Sequence, residues 1–249
     1  KAIREGLSGI SIHQVFGILN GTCNYILSEM RETGRDFDEV LSEAQDLGYA
    51  EADPTFDIDG IDAAHKLAIL TSIAFGCEIN FESVQVEGIR HISPLDIQFA
   101  KDLGYRIKLL GMARKTKIGI QQRVHPCMIP ISAPIAHVEG VYNAVVTEGS
   151  FVGQTMYEGR GAGEGPTASA IVADIIDIAL SRNTNLFLLP TDKLEKMQVA
   201  PMSSYTGSYY ARFMVIDKTG VFATIANALN YNGVSMESVL QRGRSENEA

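Results

Sequence analysis

In the stretch GIDAAHKLAIL, residues 60–70, one acid and one base stand a single turn apart in an otherwise aliphatic segment. Residues four apart share a helix face, so Asp62 and Lys66 are neighbours if this is a helix. Ile61, Ala63, Ala64, Leu67, Ala68, Ile69, Leu70, Ile73, Ala74 and Phe75 surround them in nearly every direction, which predicts a helix buried on most sides. A lysine there either snorkels to an edge or lines a cleft, where it can give or take a proton near neutral pH. The plainer reading is an ordinary surface pair worth about 0.3 kcal/mol. Just upstream, Glu51, Asp53, Asp57 and Asp59 crowd the start of the helix. The helix dipole favours one or two acids at that end, but it does not account for all of them. Carboxylates so close need a cation: Lys66, a metal, or the ammonium group of a small substrate. The DIDG segment lacks the spaced oxygen ligands and closing glutamate of a calcium loop, so no metal is expected. The expectation is a cavity in which the Lys66 amine, sunk among aliphatic neighbours, faces Glu51 and Asp62 across the width of a small zwitterion.

A second candidate is YEGRGAGEGPTASAIVADI, which sets Gly159, Gly161, Gly163 and Gly165 between a strand and a helix. Glycines let a backbone approach a ligand closely, and a helix N-terminus attracts negative charge. The spacing is GxGxGxG, however, and the dinucleotide fingerprint needs GxGxxG, parallel flanking strands and an acid about 20 residues further on. A tight turn explains these glycines equally well. No other glycine run matches the fingerprint, so the chain predicts no nucleotide-binding domain of its own.

Around these residues the periodicities predict an α+β fold. Residues 10–19 read as a strand, and NGT at 20–22 as a turn and helix cap. Helices follow over 23–34, over 36–48 with Gly48 as its terminating glycine, and over 61–75. From residue 84 strict alternation predicts strands at 84–92, 105–116, 118–129, 141–149 and 151–159. Short turns between them make antiparallel neighbours, with one short helix at 95–104 and a longer one at 166–182. Residues 183–204, with two prolines and little periodicity, read as a linker or crossing arm. Beyond it, 208–217 and 234–242 read as strands flanking an amphipathic helix.

Thirty acidic against 21 basic residues, a net charge of -9, argue against nucleic acid, whose binding needs a basic surface. Cys23, Cys77 and Cys127 form no CxxC pair or disulfide framework, which fits a reducing cytoplasm. No apolar run approaches the roughly 20 residues needed to span a bilayer. None of His13, His65, His91, His125 and His137 has metal-ligand spacing, and Cys23 reads as structural.

GILNGTCNYIL (17–27), AQDLGYAEADPTFDIDGIDAAHKLAIL (44–70), ISPLDIQFAKDLGYRIKLLG (92–111) and MYEGRGAGEGPTASAIVADI (156–175) together resemble homoserine dehydrogenases. The tail from Tyr209 to about Arg242 resembles the first part of an ACT regulatory module, a ferredoxin-like βαββαβ unit. The resemblance implies a substrate and dimerisation domain at 1–190, a mostly antiparallel sheet with helices on one face. A linker at 191–206 and a partial ACT module at 207–249 complete the expected division. It implies reversible NAD- or NADP-dependent interconversion of L-aspartate 4-semialdehyde and L-homoserine, with Lys66 as general acid/base and Asp62 beside it. Glu51, Asp57, Asp62, Gly48 and Tyr49 would meet the amino-acid substrate. Gly48, Gly161, Ala162, Gly163 and Glu164 would line the nicotinamide end of the cofactor. The resemblance puts the dinucleotide-binding domain and a monovalent-cation site before Lys1. It also implies a homodimer or homotetramer through the sheet's other face or edge, and an amino-acid effector at the ACT module. The contrasting reading is a non-catalytic amino-acid sensor of ACT type.

Overall fold

Alternating side chains and two tight turns organise the chain around one sheet. The computed structural model describes residues 1–182, 187, 189–216 and 218–241. The strands are β1 (Ile12–Ile18), β2 (Gln85–Val86), β3 (Tyr105–Thr116), β4 (Gly119–Pro130), β5 (Tyr142–Gly149) and β6 (Gly153–Arg160). Their order across the sheet is β2-β4-β3-β1-β5-β6. The turns after Thr116 and Gly149 are too short for a crossover, so β3 with β4 and β5 with β6 are antiparallel hairpins. β1 runs antiparallel to both β3 and β5, and only the short β2 lies parallel to its neighbour β4.

The helices are α1 (Gly21–Thr33), α2 (Phe37–Asp46), α3 (Thr55–Ile58), α4 (Ile61–Phe75), α5 (Pro94–Asp102), α6 (Glu164–Ala179) and α7 (Val221–Tyr231). Strand alternation splits the sheet into two faces. Val15, Ile107, Leu109, Ala113 and Val124 point to the first, where they pack with Ile26 and Met30 of α1, Val40 of α2, Ala64 and Leu67 of α4, and Ala100 of α5. Each fully buried side chain of Leu67's size contributes about 1.5–3 kcal/mol. Ile18, Leu110, Ile129, Ala144 and Val146 point to the second face, where the cover among the described residues comes from a 3₁₀ turn, Pro134–His137, and the residues flanking it.

Three expectations are corrected. The strand expected at 84–92 shrinks to Gln85–Val86, because the chain then turns inward. Gly88 lies against the α3 backbone so closely that a Cβ there would be 2.3 Å from the Ile58 carbonyl oxygen. Among the described residues, 208–216 and 234–241 carry no strand, because an extended segment becomes one only with a neighbour to pair with. Asp217 and Arg242, which those expected strands included, lie outside the described residues. The third correction concerns α4. It buries Ala63, Ala64, Leu67, Ala68, Thr71, Ser72 and Phe75, but His65, Lys66 and Ile69 face outward. Its aliphatic residues exceed what the sheet contact can cover.

The arm at 195–200 does cross the body. The amide of Glu78 donates to the Glu195 carbonyl at 3.0 Å, Ile120 to Gln198 at 2.8 Å and Ala200 to Ile120 at 2.9 Å. No described helix is long and apolar enough to cross a membrane.

Candidate functional site

The site grows from the end of β1. Asn20, two residues past the strand, still has extended backbone, and its side-chain oxygen accepts the Cys23 amide at 2.8 Å, capping α1. Only 4% exposed, Asn20 also donates through Nδ2 to Asp57 Oδ1 at 2.7 Å and to Asp62 Oδ2 at 2.8 Å. One amide therefore ties the starts of α1 and α4 to α3. Lys66 Nζ lies 2.7 Å from the same Asp62 Oδ2 and donates to the Leu19 carbonyl at 3.2 Å. Asp62 and Lys66 thus meet as i,i+4 spacing requires.

Lys66 is not sunk in an apolar cavity. Its side chain is 50% exposed and that of Asp62 19%, so the pair stands at the surface, with the lysine stem running along the helix edge. Two cavities, of about 250 and 230 Å³, lie elsewhere: one between Arg114, Gln121 and Tyr205, the other between Cys77, Gln122 and Val199.

The acidic loop spends its charges on several partners. Asp59 pairs with Arg90, and Asp53 accepts the Thr55 amide at 3.1 Å to start α3. Asp57 and Asp62 share Asn20. Glu51 is exposed, and its carboxylate accepts no hydrogen bond from the described residues; its backbone carbonyl is held by Gln45 at 2.9 Å. Gly48 sits at φ +73°, which favours glycine and turns the chain back off α2. The next amide, Tyr49, then donates to the Ala44 carbonyl at 2.8 Å, while the Tyr49 carbonyl accepts the Thr22 hydroxyl at 2.7 Å. The Gly48–Glu51 turn is thereby fastened to the start of α1, beside Asn20.

The glycine loop reaches the same neighbourhood by a separate route. A Cβ on Gly161 would lie 2.5 Å from Asn143 Oδ1, and one on Gly21 would lie 3.4 Å from that atom. Asn143 of β5 is therefore wedged between the loop and the residue after Asn20. Gly161, Ala162, Gly163 and Glu164 are all exposed at the N-terminal end of α6. No hydrogen bond or ion pair joins them to Lys66 or Glu51 among the described residues.

Cys23 is fully buried, and its thiol donates to the Asp57 carbonyl at 3.1 Å. Burial, reinforced by Asp57, Asp62 and Asp59, pushes this thiol well above its ordinary range, so it supplies no thiolate. His65 stacks between Phe56 and Phe81, with ring centroids 5.8 and 3.9 Å away. Among the described residues no three His, Cys, Asp or Glu side chains converge to hold a metal ion.

Two polar residues are missed when the sequence is read for charged pairs and glycine runs. Asn20 looks like a cap and nothing more; its carboxylate partners lie 37 and 42 residues away. Lys108, 1% exposed on the second sheet face, donates to Asn24 Oδ1 at 3.0 Å, the Val138 carbonyl at 2.6 Å and Glu139 Oε2 at 3.3 Å. Burial lowers its pKa to about 8 against the opposing pull of Glu139. The signal was present: alternation sets Lys108 on the same face as Leu110, an apolar surface.

Comparison with known proteins follows the same residues. The sequence model described as homoserine dehydrogenase matches residues 1–176. A homoserine dehydrogenase of Pseudomonas aeruginosa is 49% identical over all of this chain, which spans 58% of that relative's length. The crystal structure of a homoserine dehydrogenase from Thiobacillus denitrificans superposes with a TM-score of 0.91 at 48% identity, covering 97% of this chain and 57% of the other. A hyperthermophilic archaeal homoserine dehydrogenase solved with NADPH is more distant, with a TM-score of 0.63 at 32% identity over 74% of this chain and 52% of its own.

Proposed function

This chain belongs to the homoserine dehydrogenase family, and from that premise we propose that it carries the amino-acid substrate site of an NAD(P)-dependent interconversion of L-aspartate 4-semialdehyde and L-homoserine, a step of amino-acid biosynthesis. The observation carrying this reading is the Lys66–Asp62 pair at 2.7 Å, joined through Asn20 to Asp57 and open to solvent on the lysine side. Two carboxylates with one amine leave an unbalanced negative charge that suits a substrate ammonium group. Glu51, exposed and with a carboxylate that accepts no hydrogen bond among the described residues, adds a further acceptor near the turn at Gly48 and Tyr49.

In the reductive direction the Lys66 ammonium donates a proton to the substrate's aldehyde oxygen as negative charge develops there; in the oxidative direction it takes the proton back. Asp62 orients that amine, and the Leu19 carbonyl fixes it from the other side. The acids hold the amino-acid end, so that the reacting carbon is presented in one orientation.

The glycine loop suits the nicotinamide end of a dinucleotide better than its phosphates. Glu164 occupies the first turn of α6, where a phosphate would be repelled, while Gly161, Ala162 and Gly163 keep the loop low. When bound, the dinucleotide gives or accepts the hydride. We further propose a cytoplasmic enzyme that dimerises through the second sheet face, where Phe16, Met112 and Met156 are only partly covered. The proposed divisions are a substrate and dimerisation domain to 190, a linker at 191–206 and a partial ACT module from 207 that takes an amino-acid effector.

The test is Lys66→Met in a full-length polypeptide that includes the segments by which its relatives exceed this chain. Loss of kcat by about 10²-fold or more is expected, the usual contribution of a general acid/base. A parental kcat in the variant would remove Lys66 from the chemistry, and a full-length parent that binds homoserine without turnover would favour a non-catalytic amino-acid sensor.

A further inference from the structure

We propose that Asn20 is a positioning residue: its side-chain amide sets Asp57 and Asp62 side by side as a matched pair of acceptors for the substrate's ammonium group. The inference rests on the proposed substrate reading and goes beyond it, because nothing in that reading requires residue 20. Both amide protons are used, one on Asp57 Oδ1 at 2.7 Å and the other on Asp62 Oδ2 at 2.8 Å. With the protons of a planar amide diverging by about 120°, those two oxygens stand roughly 5 Å apart. Among the described residues no cation bridges them; of the two carboxylates, Lys66 pairs with Asp62 only.

The orientation of the amide is fixed by the helix it caps. Asn20 Oδ1 accepts the Cys23 amide at 2.8 Å, so the NH₂ group has to point at the acids. A flipped amide would lose the cap and aim its oxygen at two carboxylates. At 4% exposure, water cannot take over either bond. Asp57 Oδ2 and Asp62 Oδ1 accept no hydrogen bond among the described residues, and these are the acceptors left for a ligand. Asn20 is also neutral, so the local sum of Asp57, Asp62 and Lys66 stays at one negative charge, the complement of one ammonium. The groups around the amide are Asp57 of α3, Asp62 and Lys66 of α4, the buried Cys23 thiol of α1 and, further out, Asp59 paired with Arg90.

Asn20→Asp separates the two roles of the side chain. Aspartate caps a helix as well as asparagine does, so the Cys23 amide keeps its acceptor, but both donors disappear. In the full-length protein, KM for homoserine is expected to rise about 10- to 100-fold, as for hydrogen bonds lost from charged groups, with a smaller change in kcat. The KM ratio of variant to parent should shrink between pH 8 and pH 6, because the introduced carboxyl, wedged against two others, takes up a proton and regains a donor. Asn20→Ser, which keeps a capping oxygen but cannot reach both acids, should raise KM at near-parental Tm without that recovery. Parental KM in both variants, or a KM ratio for Asn20→Asp that is flat with pH, overturns the inference. Loss of kcat in Lys66→Met together with parental KM in the Asn20 variants removes the role of Asn20 alone. Parental kcat in Lys66→Met removes the underlying reading instead.

Discussion

A lysine amine with almost no solvent around it reports on its surroundings through pH. Lys108 holds its proton less firmly in the fold, with a pKa of about 8, than in the unfolded chain, where the ordinary value is 10.5. Between those values the unfolded chain binds more protons, so this group's contribution to stability rises with pH, and below about pH 8 its full cost is present. The Cys127 thiol, pushed up to about 12 by burial, acts oppositely above pH 9, since there the fold retains a proton that the unfolded chain releases. Comparison with Lys108→Met isolates the lysine. Urea unfolding should show the stability difference between parent and variant moving in the parent's favour by about 3 kcal/mol from pH 7.5 to 10.5. A difference independent of pH refutes this account. At this scale the sequence exposed types and spacings: Asp62 and Lys66 do pair because four residues is a helical turn. It concealed Asn20, whose importance depends on which loops fold over it. It also suggested a deeper Lys66, because counting aliphatic neighbours does not say which side of α4 meets the sheet.

Secondary-structure elements were legible where their hydrogen bonds are local or their partners adjacent. β3 to β6 follow from alternation and short turns, and α4 from its run of helix formers ended by Gly76 at φ +68°. β2 and the two strands expected in the tail were not legible, because alternation marks an extended segment without naming a neighbour. What the tail does instead is dock on the start of α5. There Asp96, 6% exposed, completes a capping box with Ser93. Tyr210 donates to Asp96 Oδ1 at 2.9 Å and Arg212 to the Ser93 hydroxyl at 2.8 Å. Burial and Asp96 push the Tyr210 phenol up to about 12, so it stays a donor across the physiological range. Tyr210→Phe with Arg212→Ala should weaken docking by about 1.5 kcal/mol, the lower end for bonds to charged groups. Limited proteolysis should then cut residues 202–216 about tenfold faster, with little change in the Tm of the main domain. An unchanged cleavage rate would mean that the tail is held by other contacts.

At the scale of the molecule, the decisive feature is a sheet that, among the described residues, contains no dinucleotide-binding unit. Among the described residues the only parallel pairing between strands is the two-residue contact of β2 with β4, and the glycine loop links the antiparallel β6 to α6. A Rossmann unit needs parallel strands joined by a crossover helix, with the pyrophosphate on that helix's N-terminus. The described part of this chain therefore carries no such grip, and on the proposed reading it meets only one end of the cofactor. α6 is consistent with a larger assembly: none of its residues is buried, and Ile171, Val172, Ile175 and Ile178 are each more than half exposed. The chain spans 58% of the length of its Pseudomonas relative, which leaves room for a cofactor-binding part elsewhere in such proteins. Two measurements on the 249-residue chain follow from this division. Incubated with homoserine and either NAD or NADP, it should form no reduced cofactor above the blank, because hydride transfer requires both reactants to be held. In calorimetry the same chain should still take up homoserine weakly, and Asp62→Asn should abolish the heat, since the acids, Asn20 and Lys66 all lie within it. Turnover by the chain alone would show that the cofactor grip resides in these residues after all.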